Sequence, residues 1–119
     1  MLQVKLCDFG LAANSHDQKG AGTPAYMAPE LHTGKSYNEK VDIYAFGIMM
    51  WELVAKRVPF DGASPFDIKN RVIAGTVMHR MCTFVGPTNP FVCKLMVNFL
   101  SELMLTRNAE GKYYPEMNH

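Results

Sequence analysis

VDIYAFGIMMWELVA, from Val41 to Ala55, is the longest apolar run in this chain. Twelve of its 15 residues are apolar or aromatic, whereas a helix lying on a surface carries only an apolar stripe. The run therefore predicts a helix surrounded by protein. It is too short to cross a bilayer, which takes about 20 residues with few charges, and it carries Asp42 and Glu52. Its flanks supply the ends. Ser36 followed by Glu39 has capping-box spacing, with Asn38 as a rival cap, and either opens the helix near residue 39. Lys56 and Arg57 suit the negative end of its dipole, and Pro59 stops it, so the expected helix covers residues 39 to 56.

Downstream, Ser64-Pro65-Phe66-Asp67 combines a cap, a first-position proline and a third-position acid. It predicts a helix to about Ala74, closed by Gly75. A third helix is expected from Asn89-Pro90 to about Thr106, with Val92, Leu95, Phe99 and Leu103 on its apolar side. Upstream, Pro29 suits a first helical position and Gly34 a stop, which marks a short helical turn. Residues 12 to 25 are rich in small and polar residues and read as a surface loop. Leu2, Val4 and Leu6 alternate with Gln3 and Lys5, the pattern of a half-buried strand, and such a strand needs a partner that no later segment offers.

Composition narrows the function classes. With 119 residues the chain allows one domain at most. Twelve Lys and Arg against eleven Asp and Glu leave a net charge of +1, so no overall field favours nucleic acid or an anionic membrane. Cys7, Cys82 and Cys93 form neither a paired framework nor a C-x-x-C metal site, which points to a reducing, cytoplasmic setting. The first ten residues, MLQVKLCDFG, turn polar too early for a secretory signal.

Three patterns stand in order: DFG at Asp8 to Gly10, GTPAYMAPE at Gly22 to Glu30, and DIYAFGIMMWEL at Asp42 to Leu53. On these residues the chain resembles the protein kinase family, specifically the second half of the catalytic domain. YMAPE and the Trp-Glu-Leu at Trp51 to Leu53 are similar to the tyrosine-kinase-like group of Ser/Thr kinases, and the likeness is clear over residues 2 to 74. It implies a mainly α fold: a partial kinase-like C-lobe spanning residues 1 to 119, with a remnant N-terminal β-strand and an activation segment.

The resemblance also assigns roles. Asp8 would hold magnesium and, through it, ATP; the plainer local reading is an Asx-type turn capped by Gly10. Phe9 would pack in the core and set the active or inactive arrangement, while Gly10 lets the backbone turn. Leu11 to Ala21 matches the activation loop, where Ser15 offers a hydroxyl whose phosphate would pair with basic groups. Thr23 matches the threonine that contacts the catalytic aspartate and helps select a hydroxyl substrate, unless it is simply a turn residue before Pro24. Pro24 and Tyr26 would line the rim where substrate peptide lies. Glu30 would pair with Lys112, which stands where the family has arginine and offers a point charge instead of a fork; Arg107 is a rival. Asp42 would accept from catalytic-loop N–H groups, or serve as a solvated first-turn acid. Trp51 reads as core or rim, and His16, His32, His79 and His119 as surface or loop.

The sequence contains no G-x-G-x-x-G loop, no V-A-I-K lysine and no H-R-D-x-x-x-x-N segment, so the N-lobe and the catalytic loop with its aspartate are missing from these 119 residues. The full domain would transfer the γ-phosphoryl of ATP, as its magnesium complex, to protein Ser/Thr hydroxyls. These residues alone are expected to bind neither cofactor well and to be inactive. The alternative is a non-catalytic kinase-like chain that binds another protein. Its partners would be protein substrates or a protein ligand, with neither nucleic acid nor membrane, and self-association through exposed core is a further expectation.

Overall fold

The computed structural model describes residues 1–12 and 21–75. Its regular elements are a 3₁₀ turn, Pro24–Tyr26, and three helices: α1 (Pro29–Thr33), α2 (Lys40–Ala55) and α3 (Pro65–Ile73). The expected helix at residues 89 to 106, the segment 76 to 88, Ser15 and Lys112 lie outside the described residues, as does most of the stretch from Leu11 to Ala21.

Local chemistry accounts for each helix end. Pro29 occupies the first turn of α1, and Gly34 ends it in the left-handed region at φ 66°. At the start of α2 the rivalry between caps is resolved for Asn38, whose Oδ1 accepts the Lys40 N–H at 3.1 Å. α2 closes at Lys56, a non-glycine residue at φ 51°. α3 has the reciprocal cap its sequence predicts: Ser64 Oγ accepts the Asp67 N–H at 3.2 Å and donates to the Asp67 carboxylate at 2.7 Å. Gly75, at φ 69°, donates to the Val72 carbonyl and ends the turn.

α1 packs against α3, and the 3₁₀ turn touches both α2 and α3. Tyr44, Gly47, Ile48 and Trp51 share one stripe of α2 and are buried. Ile68 and Val72, four apart on α3, meet them, and Ala28 completes the cluster. Ile48 at 0% and Val72 at 1% exposure are its most enclosed side chains, each contributing about 1.5 to 3 kcal/mol of burial.

Three expectations need correction. No strand forms among the described residues: Leu2 and Val4 are fully exposed and Leu6 nearly so. A strand requires a ladder partner, and the described residues supply none. Phe9 likewise lies 70% exposed instead of in a core, because none of the described elements packs over residues 1 to 12. Finally, α2 is not covered all round: among the described residues Phe46, Met49 and Leu53, which share the face opposite the buried stripe, stay exposed. Short neighbours cannot wrap a 16-residue helix on every side.

Candidate functional site

Thr23-Pro24-Ala25-Tyr26 folds as it does because Pro24 pre-sets φ for a tight turn and has no N–H to leave unsatisfied. The Tyr26 N–H donates to the Thr23 carbonyl at 3.0 Å and the Met27 N–H to the Pro24 carbonyl at 3.3 Å. Thr23 caps the turn through its backbone alone, since its side chain makes no capping bond, and the residue is exposed.

Two side chains hold this turn from outside. The Tyr26 hydroxyl donates to Glu52 Oε2 of α2 at 2.6 Å, a charge-assisted bond. That bond, with burial behind it, holds the Tyr26 phenol above its ordinary pKa. From α1, His32 Nε2 stands 3.1 Å from the Pro24 carbonyl oxygen. The imidazole is half-buried, and desolvation lowers its pKa.

Glu30 follows Pro29 in α1 and is buried at 4% exposure. Burial, with the Glu30 charge added to it, pushes the Tyr44 phenol well above the usual range. Asp42 is separate from this group. It is exposed in the first turn of α2, where a carboxylate favours the helix dipole.

Asp8 forms its own small unit. Its Oδ1 accepts the Gly10 N–H at 3.3 Å, the Asx-type turn, and Ala12 N–H closes onto the Phe9 carbonyl at 3.0 Å. Asp8, at φ 62°, takes the left-handed conformation, which Asp tolerates better than most residues. A Cβ on Gly10 would come within 3.3 Å of the Asp8 carboxylate oxygen. The carboxylate remains exposed. One exposed carboxylate suits a single coordination position of Mg²⁺, which keeps several waters and takes phosphate oxygens for the rest. No group of three or more His, Cys, Asp or Glu able to hold a metal occurs among the described residues.

The structure thus gathers Thr23, Pro24 and Tyr26, adds Glu52 and His32 to them, and leaves Asp8 to Gly10 and Asp42 elsewhere. Glu52 carried a readable signal, because a charge inside an apolar helix must find a donor. His32 carried none, since its contact reaches back eight residues across a turn. No described helix is long and apolar enough to cross a membrane.

Residues 1–110 match the family model described as protein kinase domain. The chain is 42% identical over 72 residues to the dual specificity protein kinase shkD of Dictyostelium discoideum, covering 56% of this chain and 10% of that protein. It is 46% identical over 65 residues to a probable serine/threonine-protein kinase of the same organism, covering 51% of this chain and 7% of that one. It is 42% identical over 77 residues to mitogen-activated protein kinase kinase kinase 7 of Homo sapiens, covering 61% of this chain and 13% of that protein. The chain therefore spans about a tenth of the length of the relatives it matches.

Proposed function

This chain belongs to the protein kinase domain family, and on that premise we propose that it forms the substrate-facing part of a serine/threonine kinase domain of the tyrosine-kinase-like group. The whole domain moves the γ-phosphoryl of ATP onto Ser or Thr hydroxyls of proteins in the cytoplasm. The observation that carries this reading is the clasped turn, with an exposed Thr23 at the head of a segment tied to α2 through the Tyr26 side chain and to α1 through the Pro24 carbonyl. Phosphoryl transfer depends mostly on positioning and on electrostatic stabilisation, so a rigid turn beside the acceptor peptide is what the chemistry needs.

Thr23 orients the acceptor hydroxyl, Pro24 and Tyr26 line the peptide rim, and Glu30 anchors α1 beneath them with Lys112 as its cation. Asp42 steadies the catalytic-loop backbone. Asp8 holds one position of the magnesium ion, with Phe9 and Gly10 setting how it is presented. Magnesium, when bound, neutralises charge on the β- and γ-phosphates. Ser15 is the activation-loop hydroxyl open to phosphorylation.

The test uses the full-length protein with labelled ATP, Mg²⁺ and Ser- or Thr-containing peptides. Asp8→Ala should lower transfer about 100-fold or more, as losing one electrostatic contact commonly does, and Thr23→Val should weaken transfer to Ser and Thr peptides. Undiminished transfer by Asp8→Ala refutes the reading. A second reading, protein binding without catalysis, draws on the exposed Phe46, Met49 and Leu53 of α2. It gains if the unaltered protein transfers nothing and binds ATP no better than at millimolar levels.

A further inference from the structure

The substrate-lining turn is gripped twice, once by a side chain and once by its backbone. Tyr26 is held through its hydroxyl, whereas His32 reaches the main chain itself, at the Pro24 carbonyl oxygen. A carbonyl can only accept, so Nε2 carries the proton and Nδ1 of the neutral ring is left as the acceptor. Burial favours that neutral ring and outweighs the Pro24 bond, which by itself would favour a second proton, and the Lys69 charge from α3 acts with burial. The same carbonyl accepts the Met27 N–H, so both of its lone pairs are engaged.

This contact matters because of what proline leaves undone. The Pro24 ring fixes φ but not the rotation of the following peptide plane, and Pro24 has no N–H with which to be held. The direction of its carbonyl, and with it the path from Thr23 to Tyr26, is set by the groups that grip that oxygen. His32 is well based for the task, because Ala28 at the head of α1 is fully buried and α1 packs on α3.

We propose that His32 is a positioning residue whose Nε2–H pins the Pro24 carbonyl and thereby sets the geometry in which residues 23 to 26 receive a substrate peptide. The inference rests on reading that turn as the peptide-binding rim.

The full-length protein is compared with His32→Leu, His32→Gln and His32→Asn. Gln places its amide nitrogen close to where Nε2 stands, whereas Asn places it near Nδ1, so only Gln can rebuild the bond. Losing one neutral hydrogen bond should raise the peptide KM about three- to tenfold in the Leu and Asn variants and leave the ATP KM within about twofold. Gln should restore the peptide KM. Hydrogen exchange supplies a readout independent of activity: the Tyr26 and Met27 amides should exchange about three- to tenfold faster in the Leu and Asn variants, and at the native rate in Gln. The Ile68 amide of α3 and the Ala74 amide that caps its end should not change. If Leu accelerates those too, the Gln and Asn pair decides, being matched in chemistry and different in reach. Unchanged exchange at Tyr26 and Met27 in Leu, or a Gln variant no better than Asn, overturns the inference. A silent phosphorylation assay in the unaltered protein overturns the kinase reading instead, and the exchange rates then decide the role of His32 alone.

Discussion

Replacing Tyr26 by Phe removes one oxygen and little else. That oxygen lies 2.6 Å from a Glu52 carboxylate, with both side chains half-buried. Hydrogen bonds to charged groups contribute about 1.5 to 3 kcal/mol, and partial access to water places this one at the low end, about 1.5 kcal/mol. That is about tenfold in the ratio of folded to unfolded chain, and in a small domain about 6 to 12 °C in Tm. A double-mutant cycle isolates the pair: Tyr26→Phe, Glu52→Ala and the double variant, each unfolded in urea. The coupling should be about 1.5 kcal/mol, and a value inside the additivity error of about 0.3 to 0.5 kcal/mol would refute the bond's contribution. The pH dependence gives a second check. Tyr26 titrates higher in the folded state than its ordinary 10.0, because the neutral hydroxyl is the donor. The advantage over Tyr26→Phe should therefore be complete below pH 10 and disappear as pH rises through the raised folded value. An advantage that persists beyond tyrosinate formation would contradict the assignment.

Other consequences are simpler. Ile48→Ala should cost about 2 to 5 kcal/mol and Ile48→Val about 0.5 to 1.5, read by denaturant unfolding; equal small losses would place Ile48 outside the core. Ser64→Ala should cost about 1 kcal/mol through the lost cap on α3, and Ser64→Asp should recover most of it. At acid pH, His32 contributes stability that is complete above its ordinary 6.5 and lost as pH falls through its depressed folded value, so His32→Gln should flatten that limb. Tyr44 acts at the other end: burial and the Glu30 charge raise it, its contribution is complete below pH 10, and Tyr44→Phe should make the alkaline limb less steep.

Where an answer depended on a few adjacent residues, the sequence alone was sufficient. Ser64-Pro65-Phe66-Asp67 determines the start of α3, Pro29 and Gly34 bound α1, and the apolar run with Pro59 beyond it determines α2, because caps and proline act within one turn. The ordered DFG, APE and Asp42-containing motifs likewise identified the family, since their spacing is a property of the chain itself. The tertiary structure decided everything that required a second segment. Leu2 to Leu6 has a strand's alternation but no neighbour among the described residues to share its hydrogen bonds, so periodicity there did not become a strand. Periodicity could not say which face of α2 would be covered, because all its faces are apolar; contact with α3 and the 3₁₀ turn chose the stripe at Tyr44, Ile48 and Trp51. The candidate site depended on such contacts most of all. Thr23, Pro24 and Tyr26 were readable as a motif, yet what holds them comes from Glu52, 26 residues from its partner, and from a histidine that no spacing rule marks. Hydrogen bonds of that kind exist only after α1 and α2 have packed around the turn.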